Sequence, residues 1–438
     1  MDGVPGLSLG IVHDQELVAA NAFGFTDPEA RKPATPETLY SICSISKLFT
    51  SVAVLQQRDE GRLRLDDPVA EYLPWFKIRD KHPDDGPVTI RGILTHSAGL
   101  PRESDYPYWT GTEGYPFPTH EEIVARIGEQ ETLYPASRYF QYSNLGLTLA
   151  GEIVAAVSGQ PFGEYVRSRI LDPLGMTDTF TEVPTDLRGG RLAVGHTARQ
   201  RDGSRDVAAP FQTRGVAPAA GFASNVGDLA KFAMWQNRLL SDGGDEVLRS
   251  STLREMHRVW WVDPDWETTR GLGFGVSREG DRTFVGHGGG CPGYYTHFRL
   301  EPKSKIAAIV LTNSIGSEVG LYTLKAFGLI APAIAEALDE DSEVPERDLS
   351  LDRYTGIYDS IWGQTAIVRW EDGLAVLWLS TRDPEEGLFK LKKTGDHTFR
   401  LVRKDDEDVL GQEFVFEVAD DGTVTRYKSH SNWFLKVR

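Results

Sequence analysis

Residues able to attack a carbonyl or move a proton recur at short spacing in three places along the chain. The first is Ser44-Ile45-Ser46-Lys47, a hydroxyl and an amine three residues apart. On a helix that spacing puts both side chains on one face, so the amine reaches the hydroxyl. An ammonium beside an apolar helix face loses solvation, its pKa falls, and it becomes a base that activates the serine as a nucleophile. The second is Tyr142-Ser143-Asn144. A phenol near an ammonium can relay a proton to a leaving group, and a carboxamide two residues on can hold the acyl side of a substrate. The third is Gly286-His287-Gly288-Gly289-Gly290-Cys291-Pro292-Gly293. Glycines on a strand edge, here Gly289 and Gly290, let a substrate backbone approach closely. The Gly290 N–H can pair with that of Ser44 as an oxyanion hole, with His287 facing the same cleft.

These residues need elements to hold them. Apolar residues at Ile45, Leu48, Phe49, Val52 and Leu55 predict a helix with one buried stripe. Arg58, Asp59 and Glu60 then lie on its solvated side, and Gly61 ends it. Ser44 falls in its first turn, where free N–H groups and the dipole favour a developing anion. Tyr142-Ser143-Asn144 precedes an apolar helix from Leu147 to Val157, closed by Ser158-Gly159. The glycine motif follows a strand at Thr283-Phe284-Val285 and precedes strands at Tyr295 to Leu300 and Ile306 to Leu311. At the N-terminus, Leu7 to Val12 and Leu17 to Phe23 read as a two-stranded hairpin. Asn225 is the expected N-cap of a helix from Val226 to Leu239, with Asp228 at its third position. An apolar helix from Tyr322 to Leu338 closes this part of the chain.

Some look-alikes are set aside. Gly6-Leu7-Ser8-Leu9-Gly10 has the form of a nucleophile elbow, but its serine lies mid-strand with no helix after it. Lys393-Thr394-Gly395 spells another catalytic triplet inside a charged hairpin turn between Leu388 to Leu391 and Thr398 to Val402. His96, at a helix end before Ser-Ala-Gly, reads as a structural donor to loop carbonyls. The loop from Tyr106 to Phe117, rich in Tyr, Trp, Gly and Pro, is equally a substrate wall or core packing. Trp260, Trp261 and Trp266 read as core or interface.

A length of 438 residues fits two or three domains, or one large domain with an appendage. The net charge of −17 argues against nucleic acid or an anionic membrane as partner. No apolar run comes near the roughly eighteen residues a membrane span requires, and Met1-Asp2-Gly3-Val4-Pro5 lacks signal-peptide features. The expectation is a soluble, cytoplasmic chain, unless an export signal has been removed. Two cysteines, Cys43 and Cys291, make neither a disulfide framework nor a zinc site by themselves. They read as two small buried thiols, with a redox switch beside the site as the functional alternative.

With three motifs in order, the chain resembles the serine β-lactamase-like family, which includes class C β-lactamases, D-Ala-D-Ala carboxypeptidases, D-aminopeptidases and family VIII carboxylesterases. The resemblance runs from about Val4 to Asn313, helped by Ile93 to Pro101 and Leu171 to Asp178. It implies an α/β fold of the α+β type, an antiparallel sheet flanked by helices plus an all-helical subdomain, with the cleft between them. It implies that Ser44 is acylated, with Lys47 and Tyr142 as its base pair, Asn144 on the acyl side and Gly290 in the oxyanion hole. The tail resembles the lipocalin-like barrel appended to D-aminopeptidase and esterase members. The expected organisation is a hydrolase domain over 1–338, an acidic linker over 339–348 and a small β-barrel over 349–438.

Two departures shape the functional expectation. His287 stands where lactamases and carboxypeptidases usually carry lysine, a permanent cation for a substrate carboxylate. That favours a serine hydrolase of small esters, amides or short peptides, with weak or no β-lactamase activity and no metal or cofactor. The family's N-terminal helix before the first strand is missing: either it has been lost from this sequence or another chain covers that face, and the second alternative makes a homo-oligomer an expectation. The alternative is a catalytically silent ligand-binding or scaffold member.

Overall fold

The computed structural model describes residues 3–104, 108, 114–339, 348–381, 384–403 and 406–438. It divides into two compact units, one running to Ala331 and the other Pro332–Arg438. Most of the expected acidic linker, and residues 105–107 and 109–113 of the aromatic loop, lie outside the described residues.

The first unit is built on a nine-stranded antiparallel sheet. Its strands are β1 (Gly6–His13), β2 (Glu16–Asp27), β3 (Lys32–Pro33), β6 (Trp261–Val262), β7 (Thr269–Arg270), β8 (Gly275–Glu279), β9 (Arg282–Cys291), β10 (Tyr294–Glu301) and β11 (Ile306–Thr312), in the order β3-β2-β1-β11-β10-β9-β8-β7-β6. Between β3 and β6 in the chain, β4 (Tyr40–Ser41) and β5 (Ala223–Ser224) form a separate two-stranded ribbon. The predicted N-terminal hairpin is β1–β2, and β1 joins the sheet centre by pairing with β11. Ser8 is buried mid-strand, with its hydroxyl at the Thr35 carbonyl and the Tyr40 hydroxyl, so the elbow look-alike is structural.

Four helices matter for the site. The first, α1 (Ser46–Asp59), is preceded by a 3-10 turn at Cys43–Ile45 that carries Ser44. Every residue from Ser46 to Gln57 is buried, so the expectation of a single buried stripe is corrected. A helix enclosed on all sides belongs to the middle of a core, and Phe49 of α1 packs there on Phe222 and Phe232. The second, α2 (Asn144–Ser158), starts three residues before the apolar pattern begins because the Ser143 hydroxyl caps the Gly146 N–H. Gly159 closes it in the left-handed region. The third, α3 (Val226–Asp242), has Asn225 as the expected N-cap, accepting from the Asp228 N–H at 2.9 Å.

The fourth, α4 (Val319–Ala337), contains Pro332, and the division between the units falls within it. An 18-residue window of α4 has a mean hydropathy of 1.3 and is 22% buried. By length and composition it could cross a membrane, which corrects the expectation that no stretch comes near that limit. Gly, Thr, Tyr and Pro interrupt a count of apolar residues while lowering mean hydropathy little.

The third motif departs from its expected form. The strand does not end at Val285 but runs through the glycines to Cys291. β8 pairs only with Arg282 to Gly286, while β10 pairs with Val285 to Cys291. One edge of the glycine segment is therefore free of a strand partner among the described residues. The two cysteines are not free thiols. Cys43 and Cys291 are joined in a disulfide across 248 residues of sequence, with their Cα atoms 5.7 Å apart. Nothing in two isolated cysteines signals such a pairing; the sheet creates it by bringing the end of β9 to the turn before α1.

The second unit is a closed antiparallel barrel of eight strands. They are β12 (Gly356–Ser360), β13 (Gly363–Trp370), β14 (Gly373–Trp378), β15 (Leu388–Lys393), β16 (Thr398–Arg403), β17 (Asp406–Val418), β18 (Val424–Ser429) and β19 (Asn432–Lys436). Aromatic residues fill it, among them Tyr358, Phe399, Phe416 and Tyr427. Lys393-Thr394-Gly395 sits at its β15–β16 turn, where the Thr394 N–H meets the Thr398 carbonyl.

Candidate active site

The site forms where the turn before α1, the start of α2 and the free edge of β9 converge. Cys43 has a φ of 52°, an unfavourable conformation for a residue with a side chain, fixed here by complete burial and the disulfide. Ser44 follows it, and Lys47 lies one turn on. The Lys47 side chain is wholly buried and its Nζ has three partners: Ser44 Oγ at 3.0 Å, Asn144 Oδ1 at 2.8 Å and the Ala219 carbonyl at 2.7 Å. Burial lowers its pKa, opposed by Tyr142 and Glu103 and reinforced by Arg102.

Those contacts suit both protonation states. A neutral amine has two N–H donors and one lone pair. Asn144 Oδ1 and the Ala219 carbonyl can only accept, so they take the two N–H groups. The Ser44 hydroxyl can donate, so it alone fits the lone pair. Proton transfer from serine to lysine then reverses one hydrogen bond and leaves the other two in place.

Asn144 is the first residue of α2, and both ends of its amide are engaged. Oδ1 accepts from Lys47, and Nδ2 donates to Glu103 Oε1 at 2.8 Å. Glu103 also accepts from the Tyr108 hydroxyl, and its Oε1 lies 3.3 Å from Arg102 Nε. Sequence reasoning missed Glu103 and Arg102, although they directly follow the quoted segment ending at Pro101. The available signal was only a charged pair directly after Leu100-Pro101; it has no motif of its own.

The Tyr142 ring stacks on His96 with centroids 4.4 Å apart and lies 5.0 Å from Lys47 Nζ. The Arg102 guanidinium sits 4.9 Å from the same ring. His96 is buried with a φ of 58°, and its Nδ1 accepts from the Ser143 N–H at 3.1 Å. It is a structural residue, as expected, but an acceptor rather than a donor. Burial and neighbouring cations hold it well below the usual histidine pKa, which keeps that lone pair available.

On β9, His287 Nδ1 meets the Gly288 carbonyl at 2.5 Å, so Nδ1 carries the proton and Nε2 is left as an acceptor. Burial, with Lys47 and Arg270 nearby, pushes its pKa down to about 3. Its ring centroid is 6.1 Å from that of Tyr142, and the structure joins them by no direct hydrogen bond. Gly289 is pressed against the turn before Ser44: a Cβ there would stand 2.3 Å from the Ile42 carbonyl oxygen. Ser44, Tyr142, Asn144, His287, Gly289 and Gly290 all line one cleft of about 940 Å³, with Lys47 buried beneath it. Tyr115, Tyr295, Ile315, Val319 and Leu321 give the cleft an apolar and aromatic wall, and Arg102, Glu103 and Glu318 its charges. Of the aromatic loop, Tyr115 reaches the cleft, while Tyr108 and Phe117 are buried and stacked on each other.

Comparison with known proteins gives a consistent result. The Beta-lactamase family matches over residues 1–326. Beta-lactamase-like protein 2 of Dictyostelium discoideum is 24% identical over 430 residues, covering 92% of this chain and 76% of that protein. Protein flp of Staphylococcus aureus is 25% identical over 313 residues, 71% of this chain, and the chain spans 60% of its length. Among solved structures, the octameric penicillin-binding protein homologue from Pyrococcus abyssi is 26% identical with a TM-score of 0.66, covering 99% of this chain and 96% of that one.

Proposed function

The chain belongs to the beta-lactamase family, and from that premise we propose that it is a serine hydrolase of small esters or amides working through an acyl-enzyme. One observation carries the reading: the buried Lys47 amine is hydrogen-bonded to Ser44 Oγ with its remaining donors filled. Ser44 Oγ attacks the carbonyl while Lys47 accepts its proton. The tetrahedral oxyanion is held by the Ser44 and Gly290 N–H groups. Tyr142, beside Lys47, passes the proton to the leaving group, and water then releases the acyl group by the reverse relay. Asn144 fixes the lysine rather than the substrate alone, because its amide already bridges Lys47 and Glu103. His287 supplies a neutral acceptor to the cleft, not a cation.

The test compares hydrolysis of p-nitrophenyl butyrate and D-alanine p-nitroanilide, with Ser44→Ala as the blank. Fluorophosphonate should label the native protein at Ser44. Turnover by Ser44→Ala at the native rate would sink the mechanism, and absence of covalent labelling would favour a silent binding protein. The octameric assembly named for the P. abyssi relative supports a homo-oligomer here as well, which light scattering measures.

A further inference from the structure

A second cavity, of about 210 Å³, shares a wall with the catalytic cleft, since His287 and Gly288 line both. Nothing in the acyl-transfer scheme uses it. Its polar lining is Arg270 from β7, Ser277 from β8, Arg299 and His297 from β10, and His287, beside the side-chain-free Gly286 and Gly288. Among the described residues no carboxylate lines it, in a chain whose net charge is −17.

Each arginine lies over an aromatic ring. The Arg270 guanidinium lies 4.8 Å from the Phe140 ring centroid, and that of Arg299 lies 4.9 Å from Phe284. A ring face offers the guanidinium no hydrogen-bond acceptor in the ordinary sense, so its N–H donors must find partners elsewhere. Among the described residues, Arg270 Nε and Arg299 Nη1 are buried with no hydrogen-bond acceptor. The Glu279 carboxylate stands 3.8 Å from Arg299 Nη1, beyond hydrogen-bonding length, and is 45% exposed. Buried donors in folded proteins are normally satisfied, and planar guanidinium forks match carboxylates. Glycine keeps the space open: a Cβ at Gly288 would stand 3.3 Å from the His297 ring, and one at Gly275 would stand 2.9 Å from Arg270 Nη1.

We infer that this cavity is an anion subsite of the catalytic cleft, in which Arg270 and Arg299 receive the carboxylate of an acidic substrate. The inference rests on the serine hydrolase reading and adds a substrate class to it: small esters or amides carrying a second, ionised acid group.

Three esters test it: phenyl butyrate, 3-butyryloxybenzoate with the acid on the leaving group, and phenyl hydrogen adipate with the acid on the acyl group. The native enzyme should prefer one acidic ester. Arg270→Gln and Arg299→Gln should each lower the acidic-to-neutral ratio of kcat/KM by about 10- to 150-fold, as expected for loss of a hydrogen bond to a charged group. Arg270→Lys, which keeps charge without the fork, should fall between. Calorimetry of succinate binding to the Ser44→Ala protein, with and without Arg270→Gln, needs no turnover. Should no ester be hydrolysed while succinate binds through Arg270, the hydrolase reading fails and the subsite stands. Turnover of phenyl butyrate with neither an acid preference nor succinate binding overturns the subsite and leaves the hydrolase reading intact.

Discussion

Replacing Glu103 by glutamine should move the acid limb of the pH–rate profile downward. The Lys47 amine must be neutral to accept the Ser44 proton, so that limb reports its pKa in the free enzyme. Glu103 opposes the depression of the Lys47 pKa, while burial and Arg102 deepen it. The carboxylate reaches the amine through the Asn144 amide, by two hydrogen bonds of 2.8 Å each. A separation of about 7 Å and an effective dielectric of about 20 give an interaction of about 2 kcal/mol. The Glu103 side chain is 20% exposed, so solvent screening reduces this to about one pH unit. Glutamine is nearly isosteric, and its carbonyl still accepts from Asn144 Nδ2, so the geometry is kept. The assay is kcat/KM for p-nitrophenyl butyrate from pH 5 to 9. Glu103→Gln should shift the acid limb down by about one unit. Arg102→Gln, removing a cation, should shift it up. An unmoved limb in both variants, or shifts of the opposite sign, would refute Lys47 as the base.

Three further perturbations have definite signs. Gly289→Ala places a Cβ 2.2 Å from Thr296 Oγ1 and 2.3 Å from the Ile42 carbonyl oxygen. It should cost about 1–3 kcal/mol and abolish ester turnover; an unchanged melting temperature with full activity would contradict the packing described. Reducing Cys43–Cys291 frees a 248-residue separation and should cost about 5 kcal/mol by chain entropy, read as a fall in Tm with reductant. His257, His287 and His297 are each pushed down to about 3, chiefly by burial. Folded pKa values below the unfolded ones mean that the unfolded chain binds more protons as pH falls below about 6.5, so acid destabilises. Each group contributes a slope of about 1.4 kcal/mol per pH unit down to its folded pKa. Urea midpoints at pH 7 and pH 5 measure this, and His257→Phe should flatten the dependence.

What was legible in the sequence was what local pattern determines. The hairpin of β1 and β2, the Asn225 cap and the Ser-x-x-Lys turn depend on neighbours within a few residues, so alternation, capping chemistry and helical spacing reveal them. The helix α2 began earlier than its apolar stripe because Ser143, a polar residue, supplied the cap. The glycine motif is expected to follow a strand ending at Val285, yet Gly286 to Gly290 continue that strand. Their conformation comes from pairing with β10 and from the approach of Ile42, which are long-range facts. Glu103, Arg102 and the Ala219 carbonyl were missed for the same reason: each acts through a contact across the fold. The disulfide is the extreme case, with no local trace at all.

The charges of the cleft bear on the choice between ester and amino-amide substrates. A D-amino amide needs an acceptor for its ammonium, and Glu103 would be the natural candidate by position. That carboxylate is already bound by Asn144 Nδ2, the Tyr108 hydroxyl and Arg102. Giving it to a substrate would loosen Asn144 and, with it, the hydrogen bond that positions Lys47. Glu318 also lines the cleft, but it is exposed, and an exposed ion pair contributes little. Tyr115, Tyr295, Val319 and Leu321 line the same cleft as an apolar and aromatic wall, which does nothing for a substrate ammonium. Hydrolysis of p-nitrophenyl butyrate should therefore exceed that of D-alanine p-nitroanilide. The reverse order, abolished by Glu318→Gln, would show that the rim acid does bind the ammonium and that the ester reading is wrong.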